Sequence, residues 1–117
     1  MFHLKKAYYY GTTKGHSWWR RYSGDGWLMR GAGEMWLDET GIHFTRYMTK
    51  KILTIPLADL KALETGRWHA GKWTGVEIVK VVWQHDGMVL VSGFSLAKHK
   101  DESQKYLQIL REQIPEK

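Results

Sequence analysis

Between Gly33 and Gly66 the sequence GEMWLDETGIHFTRYMTKKILTIPLADLKALETG places apolar and polar residues in short alternating runs, cut by turn residues. Alternation with a period of two puts one face of each run in a core, so the stretch has to be built from strands of a half-buried sheet. Asp38, Glu39, Thr40 and Gly41 make the first turn, and Ile42 and Phe44 then alternate with His43 and Thr45. Residues 46–51 form the next connection and residues 52–55 the next strand. Pro56 ends it, because proline has no N–H for the ladder. Residues 57–59 turn, and residues 60–64 resume as strand.

The same reading extends outward. Residues 27–30 look like a strand that bends at Gly31 and Gly33 before residues 34–37. Residues 66–75, GRWHAGKWTG, are bounded by glycines and read as an exposed loop. Residues 76–83 are β-branched, Asp86 and Gly87 signal a hairpin, and residues 88–94 pair back. The period then changes. Ser103, Tyr106, Leu107, Leu110 and Ile114 recur at spacings of three and four, which predicts an amphipathic helix over about 98–114. Asp101 and Glu102 near its start and Arg111 near its end suit the helix dipole, and Pro115 stops it. Residues 1–25 show no clean period. They read as a basic, aromatic arm packed on a domain of residues 26–117, with residues 7–10 as a short strand.

At 117 residues the chain is long enough for one hydrophobic core. It has no cysteine, which removes disulfides and thiolate chemistry and fits a reducing compartment. No stretch resembles a signal peptide or a membrane span, so the expectation is a cytoplasmic protein, with peripheral membrane association open. Of the net charge of +6, residues 1–30 carry +5, six basic side chains against Asp25. Such asymmetry suits an anionic partner, or simply a solvated arm. The histidines at 3, 16, 43, 69, 85 and 99 match no metal-ligand spacing, and no glycine loop matches a nucleotide fingerprint. Ser95 lacks the second glycine and the downstream acid and histidine of a nucleophile elbow, and reads as a helix-entry residue. No cofactor, metal or catalytic residue is expected. An enzyme would need a site assembled from residues distant in sequence.

Six or seven strands followed by one helix imply a curved antiparallel sheet whose open end the helix covers. The run from Gly33 to Phe44, the piece from Ile55 to Leu60, the piece from Val91 to Phe94 and the terminal helix resemble the pleckstrin-homology-like superfamily, especially its GRAM and bacterial PH-like members. The resemblance covers residues 26–114. It implies a mainly β fold, a barrel-like sheet of about seven strands capped by one C-terminal helix, and a binding platform instead of an enzyme. Many lipid-binding members carry a basic signature near the first hairpin. Arg46, Lys50 and Lys51 form a secondary basic patch here, but their order differs from that signature, so the resemblance does not carry a ligand over.

Seven tryptophans remain to be explained. Trp36 and Trp83 fall inside strand patterns and suit sheet packing. Trp18, Trp19, Trp68 and Trp73 instead lie beside Arg20, Arg21, Arg67 and Lys72 in glycine-bounded segments. Indoles next to cations suit the interface of an anionic membrane, or a protein partner. They also suit stacking on single-stranded nucleic acid, or they fold back as a local minicore. The expectation is a non-enzymatic module that uses these segments on a protein partner or an anionic phospholipid surface, the alternative being a single-stranded nucleic-acid-binding β-barrel. Self-association through a sheet edge stays open.

Overall fold

A computed structural model describes residues 2–15, 31–48, 51–69, 72–96 and 100–113, giving only the backbone at 2, 67–69, 72–77, 100, 101 and 113. The strands are β1 (Phe2–Lys14), β2 (Gly31–Leu37), β3 (Gly41–Arg46), β4 (Ile52–Pro56), β5 (Leu60–His69), β6 (Lys72–His85) and β7 (Met88–Ser95), followed by helix α1 (Lys100–Gln113). They form one antiparallel sheet in the order β4-β3-β2-β1-β7-β6-β5. β4 and β5 lie at opposite ends of this order, yet a single 3-10 turn, Leu57–Asp59, links them in sequence. A sheet whose two outer strands are tied by three residues has to curl until its edges approach. The result is an incompletely closed barrel.

β1 is where the curl is built. Residues from Phe2 to Tyr9 pair with β2 and residues from Tyr8 to Lys14 with β7, and the register slips between Leu4 and Ala7 and again between Tyr9 and Gly11. Each slip leaves extra residue on one strand and sharpens its twist, so one strand passes from one half of the sheet to the other. Gly11, with φ of 106°, takes the second bend in a conformation that side chains resist. Asp86 and Gly87, with φ of 50° and 77°, turn β6 into β7 with the doubly positive geometry that favours tight hairpins.

The concave face holds the core. Tyr9, Phe44 and Phe94 are buried there with ring centroids 5.3 to 5.6 Å apart, one ring from each of β1, β3 and β7. Met35, Ile42, Ile55, Val79, Val81 and Leu90 surround them, and α1 adds Leu107 and Leu110. A chain of buried polar groups runs beside the aromatics. Trp83 Nε1–H donates to Ser92 Oγ at 3.0 Å, Ser92 Oγ lies 2.6 Å from Thr12 Oγ1, and Thr12 Oγ1 lies 2.6 Å from Tyr9 Oη. The chain satisfies groups that burial would otherwise strand, and it ties β6, β7 and β1 together.

Four expectations from the sequence need correction. Residues 2–14 are not part of an arm: β1 is thirteen residues long, lies in the middle of the sheet and extends far beyond residues 7–10. Residues 66–69 and 72–75 are not loop, since β5 and β6 run through them and Trp68 faces Trp73 in the ladder. Ser95 closes β7 as a strand residue, and its hydroxyl bonds the Tyr10 side chain. Gly31 and Gly33 stand inside β2 instead of bending the chain ahead of it. The strand expected at 27–30 and residues 16–25 lie outside the described residues. The helix follows its predicted face: Ser103, Leu107 and Leu110 are buried, and Tyr106 is half-buried.

Candidate binding surface

The turn between β3 and β4 and the first residue of β4 carry the two most exposed large apolar side chains of the described residues, Met48 and Ile52, with Tyr47 beside them. Met48 is 104% exposed, Ile52 55% and Tyr47 43%. Met48 also has φ of 64°, in the left-handed region where an unbranched apolar residue gains nothing and asparagine or glycine is preferred. Its backbone costs about 1 kcal/mol and its side chain touches water.

Basic residues ring this tip. Arg46 ends β3, Lys51 precedes β4, and the Tyr47 hydroxyl donates to the Lys5 carbonyl, which draws the exposed Lys5 and Lys6 of the first β1 bulge to the same end. Two glycines of β2 make room for this arrangement. A Cβ at Gly31 would lie 2.7 Å from Arg46 Cδ, and one at Gly33 would lie 2.1 Å from the Thr45 carbonyl oxygen. The Arg46 stem therefore lies across β2, and the Tyr47 N–H donates to the Ala32 carbonyl at 3.1 Å. Of the predicted basic patch, Arg46 and Lys51 meet here. Lys50 lies outside the described residues.

A second constellation sits on the convex face, where His3, Trp36, His43 and Thr54 stand opposite one another on β1 to β4. The His43 ring stacks on Trp36 with centroids 5.3 Å apart. Its Nε2 is 3.0 Å from Asp38 Oδ1 and its Nδ1 is 3.0 Å from Thr54 Oγ1. Asp38 also accepts from the Thr40 hydroxyl at 2.5 Å and from the Thr40 and Gly41 backbone N–H groups. The Thr40 hydroxyl, then His43, then the Thr40 N–H hold its carboxyl well below the usual carboxylate range. An acid, an imidazole and a hydroxyl in line suggest proton transfer. Here both ring nitrogens are already engaged and the imidazole is nine-tenths buried, so the group works as a clasp joining the turn to three strands. His3 and Glu34 pair at 2.9 Å on the same face.

On β1, the Tyr8 and Tyr10 rings lie 4.7 Å apart, and burial, followed by its tyrosine neighbour, pushes the Tyr10 hydroxyl upward in pKa. At the other side of the sheet a cleft of about 250 Å³ opens between β5 and α1, lined by Thr65, Gln104, Leu107, Gln108 and Arg111. Among the described residues no group of three or more His, Asp or Glu side chains could hold a metal ion. Of the predicted tryptophan and arginine sites, Trp18, Trp19, Arg20 and Arg21 lie outside the described residues. Arg67 and Trp68 fall on β5, and Lys72 and Trp73 on β6, near the end of one hairpin. Sequence reasoning missed the apolar tip, because a lone methionine in a polar connection has no periodicity. The one available signal was its type: methionine stands where turns favour asparagine or glycine.

No helix among the described residues is long and apolar enough to cross a membrane. No curated protein and no solved structure matches the chain. A family model described as bacterial PH domain-like matches residues 2–111.

Proposed function

The chain belongs to the bacterial PH domain-like family, and from that premise we propose that it is a non-catalytic binding module that docks on an anionic phospholipid surface. PH-like domains are in general binding modules. The observation that carries the choice of ligand is Met48, fully exposed in a disfavoured backbone conformation and flanked by Tyr47, Ile52 and basic residues. Strain maintained at an exposed apolar residue points to use of that side chain. Burial of a methionine in the acyl boundary contributes roughly 2 kcal/mol, and each Lys or Arg beside anionic headgroups about 1 kcal/mol. With Lys5, Lys6, Arg46 and Lys51 near the tip the sum is about 6 kcal/mol, which is reversible, peripheral attachment.

Trp68 and Trp73, paired across the β5–β6 hairpin with Arg67 and Lys72 beside them, provide a second contact of the same chemistry in this reading, together with Trp18, Trp19, Arg20 and Arg21. The test is co-sedimentation with vesicles of phosphatidylserine and phosphatidylcholine against pure phosphatidylcholine, at low and high salt. Binding should need the anionic lipid and weaken as salt shortens the screening length. Met48→Asn should keep or raise the melting temperature, since asparagine accepts φ near 60°. It should weaken partitioning about ten- to thirtyfold, as expected from losing roughly 1.5 to 2 kcal/mol of apolar burial. Unchanged partitioning of Met48→Asn would remove the tip from the interface. Loss of binding only in a Trp68→Ala, Trp73→Ala double variant would move the interface to the β5–β6 hairpin.

A further inference from the structure

β4 ends the sheet order, and among the described residues no strand pairs with its outer edge. Which of its backbone groups face outward follows from one hydrogen bond. The Leu57 N–H donates to the Thr40 carbonyl at 3.2 Å, so Thr40 and Leu57 form a hydrogen-bonded pair. Such pairs recur at every second residue of an antiparallel ladder, which makes Ile42 with Ile55 and Phe44 with Leu53 the next two. The other side of β3 agrees. The Tyr47 N–H donates to the Ala32 carbonyl and the Asp38 N–H to the Gly41 carbonyl, which assigns Gly41, His43 and Thr45 to β2. Ile52, Thr54 and Pro56 therefore turn their backbone away from β3. The outer edge offers N–H and C=O at Ile52 and at Thr54, and C=O alone at Pro56. Leu53 and Ile55 face the core, so Ile52 and Thr54 put their exposed side chains on the convex face. The edge also has a charge direction. Arg46 and Lys51 stand where β4 begins. Where it ends, Gly41 faces Pro56, so Asp38 and Glu39 of the β2–β3 turn lie there with Asp59 of the 3-10 turn, against Lys61 alone on β5.

We propose that the partner of this edge is β4 of a second copy of the chain, paired antiparallel so that one sheet runs through both copies. β4 extends from Ile52 to Pro56, so antiparallel pairing over its whole length puts Thr54 on the two-fold axis. Thr54 then exchanges both of its backbone bonds with Thr54 of the other copy. Each Ile52 N–H donates to the Pro56 carbonyl opposite, which makes about four backbone hydrogen bonds. The proline is no obstacle in this register, because its missing N–H falls at the outermost pair. The side chains match as well. Thr54 faces Thr54, a favourable cross-strand pair, and the exposed Ile52 covers the Pro56 ring. Charge selects the same orientation. Antiparallel pairing sets the Lys51 end of each copy against the end bearing Glu39 and Asp59 of the other, whereas parallel pairing would set like against like. An edge that two-fold rotation satisfies in hydrogen bonding, contact and charge is what an isologous dimer requires. The pairing does not rest on the lipid-binding reading, although Lys51 and Ile52 border the apolar tip.

Sedimentation velocity of the full chain in lipid-free buffer tests it, from about 10 µM to about 1 mM, the range in which so short an interface should associate. The sedimentation coefficient should rise with concentration from that of one chain to that of two. Lys51→Glu, a change at an exposed side chain, should make the dimer dissociate about tenfold more readily. Cross-linking reads the register. The chain has no cysteine, so a single introduced one reports a single position. In a hydrogen-bonded pair the Cα atoms on the axis lie about 5.5 Å apart, within disulfide range, so Thr54→Cys should form a covalent dimer in oxidised glutathione. The two copies of residue 52 lie about 14 Å apart in this register, so Ile52→Cys should not. Circular dichroism checks that Thr54→Cys, which gives up the hydroxyl that meets His43, keeps the wild-type fold. A single-chain sedimentation coefficient at every concentration overturns the proposal. So does cross-linking of Ile52→Cys as fast as that of Thr54→Cys, or association of Lys51→Glu equal to wild type. No lipid is present, so none of these outcomes depends on the result of the vesicle assay.

Discussion

Asp38 shows how one side chain fixes a turn. Its carboxylate collects the Thr40 hydroxyl, His43 and two backbone N–H groups, and so closes the β2–β3 connection as an Asx-type turn. The pattern Asp-Glu-Thr-Gly was legible as a turn, but not the clasp, because the Thr54 contact crosses eleven residues and the Trp36 stack crosses a strand pair. The depressed carboxyl makes the effect dependent on pH. A group whose folded pKa lies below its unfolded value stabilises fully above the unfolded value, about pH 4, and loses that contribution as acid titrates the folded group. Asp38→Asn should therefore lower the melting temperature at pH 7, and the gap from wild type should narrow as pH falls below about 4. Thermal melts by circular dichroism from pH 7 to pH 2.5 read this directly. A gap that stays constant over the range would mean that the carboxylate charge plays no part in the clasp.

Strands were legible where alternation is unbroken and illegible where bulges reset it. β2, β3 and β4 keep strict alternation: Met35 and Leu37, Ile42 and Phe44, Leu53 and Ile55 all face the core. β1 does not. Its core-facing residues are Leu4, Ala7, Tyr9 and Thr12, at spacings of three, two and three, because each bulge moves the phase by one residue. A period-two template fails on such a strand although it is the longest-paired member of the sheet's centre. The β5–β6 hairpin was obscured for a related reason, a register slip between Gly66 and Trp68 beside a glycine that read as a loop boundary. Gly33 carries a different kind of information. A Cβ there would sit 2.1 Å from the Thr45 carbonyl and 2.7 Å from Arg46 Cα, both backbone atoms of the paired strand. No rotamer relieves that contact, so Gly33→Ala has to push β2 and β3 apart. The expected cost is about 3 kcal/mol, at the upper end of overpacking effects, read as a lower urea midpoint. A midpoint within error of wild type would mean that the strand pair opens freely at this point.

Across the whole molecule, the two halves of the sheet are joined by chain at two places, β1 in the middle and the Leu57–Asp59 turn at the edges. Chain connection alone would let each half open separately. Their interdependence rests on the shared core, in which Phe44 from one half and Phe94 from the other both contact Tyr9 of the crossing strand and each other. The hydroxyl chain from Trp83 to Tyr9 adds a polar link through the same strand. This degree of integration was only partly visible in the sequence: the apolar positions could be assigned to faces, but which strands share a core depends on the order in which β1 divides its pairing. If the halves are one cooperative unit, Phe44→Leu and Phe94→Leu should not act independently. Each removes an edge or tilted ring contact as well as volume, and each should cost about 1 to 1.5 kcal/mol alone. Together they should cost less than the sum by about 0.5 to 1 kcal/mol, because the second substitution finds its partner ring already gone. Urea unfolding followed by tryptophan fluorescence, which reports on Trp83 in the core among others, and by far-ultraviolet circular dichroism gives both the energies and the coincidence of the two transitions. Additivity of the two substitutions, or two separated transitions in the wild type, would mean that each half of the barrel is stabilised on its own and that β1 is only a tether between them.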